Sequence, residues 1–494
     1  VGASGENDKR SFVLCKPGNW GKRMDLSKDQ FFGRERLVRE IVSGVLAPSQ
    51  PASFSLVGSK LVGKSKLLGH LASPDGPLLG DAWEQWRPYR YQDGERVVVT
   101  LIDCDWQEAQ DDLLGHVADR VEQQLRADRI KLDWAAVEQQ PGASRRLWQM
   151  AHQLSQMDYR LVLLMDNFDT VFENQLLSPE TVDELRPLTR EMALVVATEQ
   201  PLHDLDRELA ASPLFNVMTQ LFLGIIEPDA ARRWLEAYGA TYPAVDAIID
   251  ELLRLTGSHP FLLLRMGDIL AEVQVVLPPS QTLGPEHLPL IRLRLAEHGR
   301  LLFVTLWRNL QNPPPRISAP ILMGLLKRLV AHDLPFDQVT REDIPTLNWL
   351  INQAMVICDA RGYALFSPLF TEFLANRMAA VTQSVGDSTT TTAGAATRAV
   401  SQPAPVLPPD APIYDQLTKI EGVLLRYFQT HANEVVSSDQ LLADVWKRPD
   451  SSPRRVQEAI RRLRLQLEDA KPPVGTIENE RGQGYRFVPA SNHH

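Results

Sequence analysis

The chain is poor in cysteine, with three in 494 residues: Cys15, Cys104 and Cys358. None are spaced as metal pairs, which excludes zinc-ribbon and CxxC redox chemistry, and so few thiols exclude a disulfide framework. The expected setting is a reducing, cytoplasmic compartment. No apolar run approaches the roughly 20 residues that a membrane-spanning helix needs. Positive charge is not in excess either: 52 Lys and Arg against 62 Asp and Glu give a net charge of -10. A uniformly basic nucleic-acid binder is thereby excluded, although a local basic patch is not. There is no solenoid-type repeat. The remaining composition, 44% hydrophobic and 23% charged, is ordinary for a globular protein, and the length predicts roughly two to four domains.

What is present begins at Phe54-Ser-Leu-Val, an apolar run that enters the pattern GxxxxGKS from Gly58 to Ser65. Lys66-Leu-Leu-Gly-His-Leu reads as the opening of a helix. Strand, glycine-rich loop and helix in that order make a phosphate-binding loop. Gly58 and Gly63 let the backbone curl around an anion, with Ser59, Lys60, Val62 and Lys66 in or beside the cradle. Lys64 is expected to reach the β- and γ-phosphates of ATP or GTP, and Ser65 to ligate Mg2+.

A second acidic element supports this. Leu161-Val-Leu-Leu-Met-Asp166 is an apolar strand ending in a carboxylate. A buried strand delivers Asp166 to the sheet edge where ligands sit in open α/β folds, so Asp166 is expected to hold Mg2+ beside Ser65. Asn167 follows, and its amide takes up no proton near neutral pH. It orients a water at best, which predicts slow ATP hydrolysis. Asp169 is the nearest other carboxylate; it either substitutes as base or caps the next helix.

Five apolar segments read as strands: Phe54–Val57, Val97–Ile102, Leu161–Met165, Ala193–Ala197 and Val217–Leu223. Helical patterns separate them, so the fold class is an α/β P-loop NTPase core, a parallel sheet with helices on both faces. From Pro228 to Val276 the pattern is helical. From about Leu288 to Met378 helices dominate, with a short hairpin near Ala360-Arg-Gly-Tyr363.

Several motifs now resemble one family. Phe31-Phe-Gly-Arg-Glu35 looks like the FxGRE box that precedes the P-loop in STAND-class signalling ATPases, an AAA+-like branch. Thr198 matches the sensor position at the end of an apolar strand. Thr256-Gly-Ser-His-Pro260 resembles the GxP/GGHP motif of the helical lid, and Tyr363-Ala-Leu-Phe-Ser-Pro-Leu-Phe370 the close of the winged-helix module after it. The resemblance implies that Arg34 lies near the nucleotide, that Pro260 packs near the adenine, and that Thr198 senses the γ-phosphate. His259 either faces the phosphates or simply starts a helix. The family often has Arg after the sensor residue; this chain has Glu199, and no arginine finger is identifiable. The implied domains are an N-terminal arm over 1–30, the core over 31–224, a lid over 225–285 and a winged-helix-like module over 286–380.

Residues 381–412 read VTQSVGDSTTTTAGAATRAVSQPAPVLPPDAP. Such a segment buries too little apolar surface to offset its chain entropy, so it is expected to be a flexible linker. The last domain, 413–490, reads helix (Leu417–Gln429), strand (Glu434-Val-Val), helix (Ser438–Val445), helix (Ser452–Leu467) and hairpin. Between Ala411 and Ala490 there are 12 basic and 11 acidic residues. The basic charge is gathered on the last helix, at Arg454, Arg455, Arg461, Arg462 and Arg464, and at Arg481 before the hairpin glycines. Val456, Ile460, Leu463 and Leu467 recur at helical spacing as its core face. The segments LTKIEGVLLRYF, RVQEAIRRLRLQLED and RGQGYRFV resemble the OmpR/PhoB-type winged helix-turn-helix. That resemblance implies double-stranded DNA as partner, with the helix arginines in the major groove and Arg481 in the minor groove.

The expected whole is a nucleotide-switched, DNA-binding transcriptional regulator that forms a homo-oligomer in one nucleotide state, with a protein trigger as a further possible partner. A DNA-associated loader ATPase and a signalling scaffold whose winged helix binds protein are the alternatives.

Overall fold

A computed structural model describes residues 31–386, apart from 93, 107–108, 110–111, 175, 177–181, 183–185, 206–212, 240–242 and 278–282. It also describes 419–446, 456, 459–460, 463–464, 467, 475–480 and 484–489. The chain divides into two compact units, Val1–Ser384 and Val385–His494.

The first unit is built on a five-stranded parallel sheet: β1 (Phe54–Val57), β2 (Val97–Asp103), β3 (Arg160–Asp166), β4 (Met192–Thr198) and β5 (Thr219–Phe222), in the order β2-β3-β4-β1-β5. Each expected strand is present within a residue or two of its expected bounds. The strands are short apolar runs because both faces are covered: β3 and β4 are buried at every position. Alternation sorts their side chains between two cores. Leu161, Leu163 and Met165 pack with α3 (Leu113–Ala127) and α4 (Ala143–Gln156), while Val162 and Leu164 pack with α1 (Glu35–Val45) and α2 (Lys64–Ala72). The chain leaves β1 toward β2 and then steps back through β3 and β4. That reversal makes the carboxyl end of β1 the topological switch point, where open α/β sheets place ligands.

A helical region follows: α6 (Pro228–Gly239), α7 (Ile249–Thr256) and α8 (Pro260–Val276), where α5 is the short helix Asp169–Glu173. Beyond it come α9 (Leu288–His298), α10 (Arg300–Gln311), α11 (Ala319–Val330) and α12 (Ile344–Asn352), the hairpin β6 (Val356–Asp359) and β7 (Gly362–Leu365), and α13 (Pro368–Gly386). These elements share one apolar core, from Leu252 and Leu263 through Leu306 to Phe370. The last helix runs to Gly386, past the expected boundary at 380. Most of the expected linker, like the N-terminal arm, lies outside the described residues.

In the second unit α14 (Lys419–Thr430), β8 (Val435–Val436), α15 (Ser438–Asp444), β9 (Gly475–Glu480) and β10 (Gly484–Pro489) follow the expected order. The sheet order is β8-β10-β9. The cap of α15 is Ser437: its Oγ accepts from Gln440 N at 3.1 Å, and the Gln440 side chain accepts from Ser437 N at 3.0 Å. This reciprocal pair satisfies two otherwise unpaired donors. Val456, Ala459, Ile460, Leu463 and Leu467 are buried with Phe428 and Phe487, as the helical spacing predicts. The unit is a winged-helix domain.

Candidate nucleotide site and nucleic-acid interface

The P-loop leaves β1 at the switch point. Gly58 N donates to Thr198 O at 3.1 Å, which ties the loop to the end of β4. A Cβ on Gly58 would lie 2.8 Å from Val62 and 2.9 Å from Leu223 O, so the turn admits no side chain there. Gly63 caps α2 with φ 95, a left-handed backbone that glycine adopts at little cost. Leu61, with φ 65, takes the same conformation without that freedom.

Lys64 is buried, and its ammonium donates to Gly58 O at 2.6 Å and Ser59 O at 3.2 Å. Burial lowers its pKa, opposed by the charges of Glu199, Asp169 and Asp166. Ser65 and Lys66 face outward. Ser65 hydrogen-bonds the Asp166 carboxylate, whose pKa burial raises. The two residues expected to hold Mg2+ are thus brought together. Both offer hard oxygen donors, the kind Mg2+ takes. Ser59 Oγ and Thr198 Oγ1 are buried beside them with no hydrogen-bond partner among the described residues. Unpaired buried hydroxyls at a P-loop fit a nucleotide phosphate as the missing acceptor.

Asp169 is the first residue of α5. Both its oxygens accept Glu199 N, at 2.9 and 3.0 Å. Burial first, then the Glu199 charge, push its pKa up to about 6. Glu199, which the sequence shows only as a departure from the resembled family's Arg, is a junction. Its carboxylate lies 3.4 Å from Lys60 Nζ of the P-loop. Its carbonyl accepts a long bond, 3.5 Å, from Gln353 Nε2 at the end of α12. Gln353 is buried and is itself held by Asn309 Nδ2 of α10 at 3.2 Å. A few residues on from Asn309, Arg316 pairs with Asp204 at 2.7 Å. No local signal could have found the Glu199–Gln353 and Asp204–Arg316 pairings, because each joins positions more than 100 residues apart.

Arg34 is the other clasp. Its Nη2 donates to Val62 O at 2.5 Å and Gly224 O at 2.9 Å, and its backbone N donates to Glu227 at 2.7 Å. Burial lowers its pKa to about 10, partly offset by Glu227. His259 is the N-cap of α8. Its Nδ1 accepts Phe261 N at 3.3 Å, Pro260 takes the first turn of α8, and the ring packs 5.3 Å from Phe366. It is fully buried, and burial followed by the Arg34 charge lowers its pKa to about 3.

In the second unit Arg464 is half-buried and donates Nε to Ile477 O at 2.9 Å, so it ties the last helix to the hairpin. Arg454, Arg455, Arg461, Arg462 and Arg481 lie outside the described residues.

Residues 415–487 match the family model "Transcriptional regulatory protein, C terminal". The C-terminal unit is a transcriptional-regulator domain of the OmpR/PhoB type. It is 40% identical over 67 residues to the transcriptional regulatory protein YvrH of Bacillus subtilis, a match that spans 13% of this chain and 28% of YvrH's length. The chain is also similar to the Walker-type ATPase PABY2304 of Pyrococcus abyssi, with TM-score 0.43 and 15% identity over 70% of this chain and 97% of that one. The ORC2 protein of Aeropyrum pernix gives TM-score 0.40 and 12% identity, over 71% of this chain and 93% of that one. The P-loop assignment stands on the chain's own strand order and loop geometry. No helix among the described residues is long and apolar enough to cross a membrane.

Proposed function

We propose that this chain is a nucleotide-switched transcriptional regulator of the STAND type, in which ATP or ADP with Mg2+ sets the state of a tethered DNA-binding domain. The carrying observation is the Glu199 junction. One residue connects the P-loop (Lys60), the turn after the Asp166 strand (Asp169) and the module beyond the helical region (Gln353). In this reading α6 to α8 act as the lid and residues 286–380 as the winged-helix-like module. Lys64 exchanges the Gly58 and Ser59 carbonyls for the β- and γ-phosphates. Ser65 and Asp166 hold Mg2+, which neutralises phosphate charge when bound. A γ-phosphate competes with Glu199 for Lys60 and brings an acceptor to Thr198. Glu199 then passes the difference to Gln353. A ligand shifts such an equilibrium only through differential contacts, and these are the contacts that differ.

Hydrolysis is slow in this reading and resets the switch, because Asn167 offers no base. Oligomerisation in the triphosphate state would cluster the winged helices and raise DNA avidity through effective concentration. The helix arginines Arg454, Arg455, Arg461 and Arg462 and the wing residue Arg481 contact the duplex, while Arg464 holds the wing. The test compares the intact protein with ADP and with a slowly hydrolysed ATP analogue. Duplex affinity and molecular mass should both change; identical values in the two states would sink the switch.

A further inference from the structure

Asp103 closes β2 directly opposite Asp166 in parallel register. Alternation puts both carboxylates on one face. Val97 and Val99 of β2, and Val162 and Leu164 of β3, pack with Leu67, Leu68 and Leu71 of α2. That face carries Lys64 and Ser65 at the start of α2. Asp103 Oδ1 accepts from Asp105 N at 3.0 Å, a bond any turn of this type makes with itself. It also accepts from Asn167 Nδ2 at 2.9 Å, a bond the turn does not need. Asn167 makes it from a left-handed backbone, φ 52, a sparsely populated conformation of the kind that collects at functional sites.

Of the neighbouring carboxylates, Asp169 holds Glu199 N with both oxygens, Asp166 holds Ser65 and Asn167 N, and Glu199 faces Lys60 of the P-loop. We propose that Asp103 is the carboxylate that orients the water attacking the γ-phosphate, and that Asn167 is its positioning residue. This rests on the nucleotide-binding reading above. In the step, the water oxygen bonds to the γ-phosphorus as the bond from that phosphorus to the β,γ-bridging oxygen breaks. The electron pair leaves on ADP, and both water protons end on the phosphate product. The carboxylate stands one strand away from Asp166, in keeping with the slow hydrolysis proposed above.

The test measures ATP turnover, KM and MgATP affinity of the full-length protein. Asp103→Ala should lower kcat roughly 100-fold, the order expected for a misplaced nucleophile, with MgATP affinity and melting temperature near wild type. Turnover within twofold of wild type would overturn the proposal. If Asp103→Ala does not fold, Asp103→Asn keeps the shape and decides: kcat should still fall at least about tenfold, as a charged acceptor is exchanged for a neutral one. Asn167→Ala should lower kcat and leave KM unchanged. Combined with Asp103→Ala it should cost nothing more, since both act through one carboxylate. Additive losses would overturn the link between the two. A wild-type protein that binds MgATP but never turns it over also overturns the proposal while leaving the switch standing. A protein that binds no nucleotide takes both readings down together.

Discussion

In the N-terminal unit the charged groups that matter are buried and tied to backbone. Arg34 spans Val62, Gly224 and Glu227, Lys64 sits on the Gly58 and Ser59 carbonyls, and Asp169 holds Glu199 N. The described core of the C-terminal unit is apolar, with Phe428, Ile460 and Phe487 at its centre. In the sequence its arginines gather between Arg454 and Arg464 and at Arg481. The contrast separates two uses of charge. Desolvated charges interact strongly, and their loss leaves unpaired partners behind, so they suit a switch whose states must differ by several kcal/mol. Solvated arginines suit a duplex, where many weak, salt-sensitive phosphate interactions add up.

The largest expected break of this contrast is Arg34→Ala. Truncating one member of a buried charged network costs about 3–5 kcal/mol. Denaturant unfolding should show that loss in the N-terminal transition alone, with the C-terminal transition unmoved. A loss below about 1 kcal/mol, the range of surface ion pairs, would place Arg34 with the solvated charges instead.

The next effect depends on pH. His259 is held neutral in the fold, with a pKa of about 3 against an ordinary 6.5. A depressed value means its contribution is fully present above pH 6.5 and is lost as pH falls toward 3. At pH 5 the loss is about 2 kcal/mol by linkage. Asp169 acts in the opposite sense. Its raised value favours the fold at low pH, and that contribution is lost as pH rises through about 6. Comparing His259→Gln with wild type isolates the histidine. The variant should be less stable at pH 7, and the gap should close by about 2 kcal/mol at pH 5. An equal gap at both values would show that the ring is not held neutral by burial.

The two regions also differ in how much the sequence discloses. The five strands are legible because each is a short apolar run, and the P-loop because glycine, lysine and serine must stand at fixed spacing. Asp166 is legible because its strand points at it. Asp103 is not, although it too ends a strand. Its pairing with Asp166 is set by sheet register, and the Asn167 bond by a left-handed backbone that an Asn leaves optional. Glu199 and Gln353 are hidden for a similar reason: they meet only when α12 packs against the end of β4. In the C-terminal domain the core positions Val456, Ile460, Leu463 and Leu467 follow from helical period alone. The cap falls on Ser437 because the Gln440 side chain reaches back three residues, and two adjacent serines offer no other distinction.

Arg464 and Arg462 provide the finest test, two residues apart in the sequence. Arg464 donates to Ile477 O, so Arg464→Ala removes one charge-assisted bond between helix and hairpin and should cost the domain about 1–2 kcal/mol. Its effect on duplex binding should be indirect and should leave the salt slope unchanged. Arg462 is expected on the solvated side. Arg462→Ala should leave stability within about 0.5 kcal/mol and flatten the plot of log affinity against log salt by about one unit, the share of a single phosphate. Thermal melts of the full-length protein, paired with duplex titrations at several salt concentrations, read both quantities. If the two variants exchange these signatures, the helix is rotated relative to its core period, and the arginine that faces DNA is Arg464.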